Sequence, residues 1–177
     1  MDEVILHQTL DNRSKGWVDL SHKLFGLKEA PHFMVNIQMC GRIDVKICEM
    51  ELKLKANDDS NLFAHTDAID LSKLWVCFFY ETLRAYRNFN GWKKTEDYWF
   101  KEVLNKLSNL RMPMAKLQAQ GVFSYKEGYH VESPIFFPKI PSTGWIVYSA
   151  DSRQHCIPRQ SLANEFLMAG KEKLKEF

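Results

Sequence analysis

"HFMVNIQMCGRIDVKICEMELKLK", residues 32–55, is the stretch on which the fold of this chain turns. Phe33, Val35, Ile37 and Met39 alternate with Met34, Asn36 and Gln38; after a short break Ile43, Val45 and Ile47 alternate with Asp44 and Lys46. A period of two is the mark of a strand with unlike faces. Cys40-Gly41 between the two runs would serve as a two-residue turn, so a β-hairpin fits. The same letters fit a helix, because Phe33, Ile37, Cys40, Ile43, Ile47, Met50 and Leu54 step by three or four. Pro31 suits a first helical position, and "CEMELKLK" is rich in helix formers. Alternation and β-branched content decide for strands here, with a helix as the alternative.

On the N-terminal side, "WVDLSHKLFGL" reads as a short amphipathic helix ending near Gly26. On the C-terminal side, "KANDDSN" is a polar break. From Asp70, a suitable N-cap, "DLSKLWVCFFYETLRAYRNF" is a helix with Leu71, Trp75, Phe78, Phe79, Thr82 and Tyr86 on one stripe, stopping near Asn90-Gly91. "GWKKTED" connects it to a second helix, with Thr95 or Asp97 as the cap. That helix, "YWFKEVLNKLSNLRMPMAKLQAQ", turns Phe100, Val103, Leu104, Leu107, Leu110, Met114 and Leu117 inward. Pro113 cannot donate to its ladder and is expected to kink or restart it. The short link makes the two an antiparallel hairpin.

Beyond Gly121 the pattern shortens. "VFSYKEGYHV" reads as a hairpin turning at Glu127-Gly128, and "SPIFFPKIPSTG", with three prolines, as an extended loop. "WIVYS" and "HCIP" read as strands around "ADSRQ". "RQSLANEFLMAG" reads as a closing helix with Gly170 as C-cap. The expected architecture is one α+β domain over 1–177, dominated by helices. It has a central antiparallel helix pair (70–120), a small β-flap (121–157) and a closing helix (158–170), with an all-α bundle as the alternative.

At 177 residues the chain can bury one substantial core. With 45% hydrophobic and 26% charged residues it has the composition of a globular protein, which excludes wholesale disorder. The formal charge of +2 is too balanced to demand a polyanion partner. "LWVCFFY" is the longest apolar run, far short of the roughly 20 residues a membrane span needs. "MDEVILHQTL" has acids where a secretory leader has bases. The expectation is a soluble, cytoplasmic protein that does not engage a membrane. Cys40, Cys48, Cys77 and Cys156 form no C-x-x-C pair and sit in apolar surroundings, which favours reduced, buried thiols. The six histidines never stand four apart on one expected helix. No phosphate loop, nucleophile elbow or dinucleotide fingerprint occurs. Neither a metal nor a cofactor is called for, and no residue is assigned a catalytic role.

The candidate binding residues are Glu81, Arg84, Arg111, Lys116, Trp145 and Arg159. Glu81 and Arg84 stand three apart and pair on one helix flank. Arg111 and Lys116 lie around Pro113 near the end of the next helix. These are either solvated charges whose stems pack along the helix boundary, or the walls of a polar cleft that receives an anion or a phosphodiester. Trp145, with Tyr148, Arg153 and Arg159, would form an exposed aromatic, basic lip over the helix pair, or else a flap closing its open side.

"YETLR" followed by "NLRMPMAK" resembles the helical HEPN superfamily over roughly residues 70–120. Members of that family include RNases acting as toxins or in phage defence, and also non-catalytic binding proteins. The family motif is an Arg, often followed by a polar residue, with a His four to six positions on. Arg111 matches the Arg, Met112 replaces the polar residue and Lys116 stands where the His would be. A His shuttles protons near neutral pH, whereas a Lys starts near 10.4 and would need a shift of ~3 units. The resemblance therefore implies a degenerate, binding-only relative.

Three functions follow as expectations. The favoured one is a non-enzymatic binding or interaction protein, regulatory or defence-associated, acting through a helix-bundle surface or a homodimer interface. The second is an RNA-binding or nuclease-like protein using Arg84, Arg111 and Lys116. The third is a small-ligand pocket lined by Trp75, Trp99 and Trp145.

Overall fold

The computed structural model describes residues 3–29, 31–56, 62–89, 98–116, 130–131, 134–137, 139, 142–148 and 154–173. Five helices lie in these segments: α1 (Glu3–Glu29), α2 (Pro31–Ala56), α3 (Leu62–Phe89), α4 (Tyr98–Lys116) and α5 (Arg159–Lys173). Four strands, β1 (His130–Val131), β2 (Ile135–Phe137), β3 (Ser142–Tyr148) and β4 (Gln154–Pro158), form a small antiparallel sheet. The α+β, helix-dominated class is the expected one, with the antiparallel pair α3–α4 inside it. Tyr86 meets Phe100 at one end of that pair and Glu81 meets Arg111 further along.

Residues 32–55 overturn the strand reading: they are one continuous helix, α2. The reason lies in which residues face inward. Phe33, Ile37, Cys40, Asp44, Ile47 and Glu51 are all buried, a regular alternation of steps of four and three. Two of those six positions carry carboxylates, so the helical stripe is broken by acids exactly where sequence reading looks for apolar residues. Gly41 is no turn residue either. A Cβ there would lie 2.5 Å from Cβ and Cγ of Trp17, so glycine lets α1 and α2 pack closely.

Other boundaries also move. α1 is 27 residues long and passes through Gly26 rather than ending there. α3 starts at Leu62, eight residues before Asp70, because its first turns have partners of their own: His65 stacks edge-on against Phe136 of β2, and Ala68 is fully buried. Asp70 is exposed within the helix and pairs with Lys73. α4 continues through Pro113 to Lys116. Gly170 lies inside α5, buried against Leu20 of α1, so it serves close packing rather than a C-cap. "IFF" of the proline-rich segment is paired as β2, the prolines falling outside its three ladder residues. The expected strands "WIVYS" and "HCIP" are β3 and β4, joined in register from Gly144↔Pro158 to Tyr148↔Gln154. The caps at Thr95 or Asp97, the turn at Glu127-Gly128, and the inward Met114 and Leu117 side chains lie outside the described residues.

β3 is the hub of the sheet. β4 occupies one of its edges, while β1 and β2 share the other, at its C-terminal and N-terminal ends respectively. The core beneath is aromatic. Trp17 of α1 meets Trp75 and Phe79 of α3 edge-on, at centroid distances of 6.4 and 5.6 Å, and Phe166 of α5 lies 4.9 Å from Phe79. Such edge-to-face pairs contribute about 0.5–1.5 kcal/mol each beyond their burial. Among the described residues, no helix is long and apolar enough to cross a membrane.

Candidate functional site

The structure gathers part of the expected cluster. Glu81 sits on α3 between two arginines. Its Oε2 accepts from Arg84 Nε at 2.8 Å, and its Oε1 lies 2.8 Å from Arg111 Nη2 of α4. The Arg111 guanidinium also lies 5.1 Å from the centre of the Tyr80 ring, a cation–π contact. One carboxylate therefore engages both arginines and ties α3 to α4. Cys77, one turn earlier, has its thiol pushed up by partial burial, with Arg111 pulling it down and Glu81 raising it. Lys116 closes α4, and its side chain lies outside the described residues.

Trp145 and Arg159 are elsewhere, and the exposed lip is overturned. Both are completely buried. Trp145 sits on the face of β3 that packs into the core, and Arg159, the first residue of α5, points between α2 and α3. Trp75 is likewise core, and the partly buried Trp99 packs on Phe100 and Phe166.

Arg159 belongs to a buried network that sequence reading missed. Its Nη1 donates to Asp44 Oδ1, and its Nη2 donates to Glu51 Oε2 at 3.0 Å and to Cys48 Sγ at 3.3 Å. Its guanidinium stacks 5.6 Å from the Trp75 ring centre. Asp44 also receives Arg13 Nε at 2.5 Å, Arg13 Nη2 at 3.1 Å and Trp17 Nε1 at 2.8 Å. Glu51 receives the Thr143 backbone N–H at 2.6 Å, the Thr143 hydroxyl at 2.7 Å and Gln160 Nε2 at 2.8 Å. Each carboxylate thus accepts four hydrogen bonds, and two acids balance two arginines. Burial opposes the charge on Asp44, yet Arg159 and Arg13 hold its carboxyl below the usual value. Burial likewise opposes the charge on Arg159, and Asp44 and Glu51 beside it hold it protonated. Burial pushes the Cys48 thiol up, so it stays neutral beside them. The network joins α1, α2, α5 and β3, a structural role. The sequence signal was present: Asp44 and Glu51 fall on the buried stripe of α2, seven residues apart, two turns of one face.

A third feature lies on the surface. Met39, Arg42, Ile43 and Lys46 of α2 and Leu71 of α3 line an open groove of about 260 Å³. Beside it stand three exposed apolar side chains, Val35 (50% exposed), Met39 (43%) and Leu74 (62%). Val35, Met39, Arg42 and Lys46 form a single solvent-facing stripe on α2 by their spacing of four, three and four. No group of three or more His, Cys, Asp or Glu placed to hold a metal ion occurs among the described residues.

Comparison with family models, with curated proteins and with solved structures returns no match. The functional reading accordingly rests on the chemistry of these three clusters.

Proposed function

We propose that this chain is a non-catalytic protein-interaction module that binds through the outer face of the α2–α3 hairpin. The observation that supports this reading is the apolar side chains Val35, Met39 and Leu74 standing in solvent around the α2–α3 groove. Apolar side chains left in solvent about a groove cost solubility and are a feature of protein-binding faces. A regulatory or defence-associated role, and a distant HEPN-like ancestry that has lost its proton-shuttling His, are compatible with such a module. The test is a photo-crosslinking amino acid at position 74, compared with one at exposed Asp11 of α1, in cells that naturally express the protein. Protein adducts from position 74 alone are expected. No adducts, or equal adducts from both positions, would overturn the reading.

A second reading, RNA binding at Arg84, Arg111 and Lys116, draws on the convergence of Arg84 and Arg111 on one point of the α3–α4 boundary. Glu81 already occupies both guanidiniums, so phosphate would have to displace a carboxylate, and this makes it the weaker of the two. RNA binding that falls steeply with salt and is lost in Arg111→Ala and Lys116→Ala would favour it.

A further inference from the structure

The walls of the α2–α3 groove can be aligned level by level. The Cys40 carbonyl accepts from Trp75 Nε1 at 2.9 Å, Ile43 and Leu71 line the same groove, and Phe33 stacks on Tyr86. The helices thus run antiparallel, with residue numbers at each level summing to nearly the same value. Met39 of α2 therefore stands level with Leu74 of α3, and Lys46 stands level with Asp67. All four side chains are exposed. At one level both walls are apolar; two turns away the α2 wall is basic and the α3 wall acidic. Asp70, next to Asp67, is already engaged by Lys73 at 3.0 Å.

This is the pattern of a self-complementary surface. A two-fold axis laid along the groove places α2 of one copy over α3 of the other while keeping every level unchanged. Met39 then meets Leu74 of the second copy and Leu74 meets its Met39. Lys46 meets Asp67 twice, by the same symmetry. A two-fold axis across the groove would instead lay α2 on α2 and α3 on α3, which leaves no Met39–Leu74 or Lys46–Asp67 pair between the copies. Isologous contacts of this sort are how most homodimers close.

We infer that the occupant of this groove is a second copy of the same chain, in a two-fold dimer with its axis along the α2–α3 groove. The inference rests on the protein-interaction reading above and supplies its partner. Met39 and Leu74 form the apolar centre. Lys46 and Asp67 set the register, because exposed ion pairs select alignment more than they add affinity.

Sedimentation velocity of the purified chain over a range of concentrations tests it. A concentration-dependent dimer is expected. Met39→Glu and Leu74→Glu each abolish it while leaving the circular dichroism spectrum unchanged, and the Tm unchanged at concentrations where the natural chain is itself monomeric, since both side chains are exposed in the monomer. Lys46→Asp alone and Asp67→Lys alone each weaken the dimer at least about tenfold, because each places like charges opposite one another twice. Mixing those two variants restores a heterodimer, as every 46–67 contact is then of opposite sign. A monomer at all concentrations overturns the inference; if crosslinks from position 74 to other proteins persist, the interaction reading stands without it. A dimer indifferent to Met39→Glu and Leu74→Glu uses another surface and also overturns it. A dimer lost in those variants but not recovered by the 46/67 mixture overturns the two-fold register.

Discussion

The same ionic motif, carboxylate between arginines, occurs twice in this molecule in opposite environments. Asp44, between Arg13 and Arg159, is fully buried. Glu81, between Arg84 and Arg111, is 39% exposed at its side chain. Around Asp44, and around Glu51 beside it, every carboxylate lone pair is met, by guanidinium, indole, hydroxyl, amide or backbone N–H. Around Glu81, water can complete whatever the protein leaves undone. The lesson is that a buried carboxylate needs its lone pairs met by the protein, and a surface one does not; on the cation's side Arg159 Nε alone is left without a partner among the atoms of this network. The buried set is therefore hard to alter one residue at a time, because removing a partner leaves a charge that water cannot reach.

The largest loss is expected from Arg159→Leu. It leaves Asp44 and Glu51 buried with one arginine between them and should cost about 3–5 kcal/mol, read from urea unfolding. A loss as small as that of a surface pair would mean water enters the network. Arg13→Met comes next. Arg13 is 16% exposed at its side chain, and Asp44 keeps Arg159 and Trp17, so about 1–3 kcal/mol is expected by the same measurement.

Acid sharpens the contrast in a second way. The folded-state pKa of Asp44 lies below its ordinary 3.8, so its charge stabilises the fold fully above that value. As pH falls from about 4 towards the lower folded-state pKa, the unfolded chain takes up the proton first and this contribution is lost. The stability gap between the natural protein and Asp44→Asn should therefore be constant from pH 5 to 7 and narrow below about pH 4, in urea titrations at each pH. A gap that widens in acid would contradict the sign. The smallest effect belongs to Glu81→Gln, which removes a half-exposed acid and should cost no more than about 1 kcal/mol. Its cost should shrink further when salt is raised, whereas that of Arg159→Leu should not.

Much of the helical core was legible. Trp75, Phe79, Thr82 and Tyr86 on α3 and Phe100, Val103, Leu104, Leu107 and Leu110 on α4 repeat at three and four with no charged residue among them, and all are buried. The β3–β4 hairpin was legible too, from short β-rich runs around a polar turn. Of the candidate site, the Glu81–Arg84 pair followed from spacing on one helix, whereas the contact of Arg111 with Glu81 was left open by the sequence and depends on how the two helices pack. For Trp145 and Arg159 the sequence left two readings open, an exposed lip and a flap closing the open side of the helix pair, and their complete burial excludes the exposed lip. Nothing local to Arg159 announces the two carboxylates waiting for it more than a hundred residues earlier in the chain.

Local periodicity and composition thus determined the elements whose buried faces are apolar, because there the hydrophobic pattern and the fold carry the same information. Tertiary structure alone decided residues 32–55. Asp44 and Glu51 can lie on the inner face of α2 only because Arg13, Trp17, Thr143, Arg159 and Gln160 converge from α1, β3 and α5 to satisfy them. Burying a charge is favourable only in company. That company is assembled from distant parts of the chain, so no window of sequence around α2 contains it.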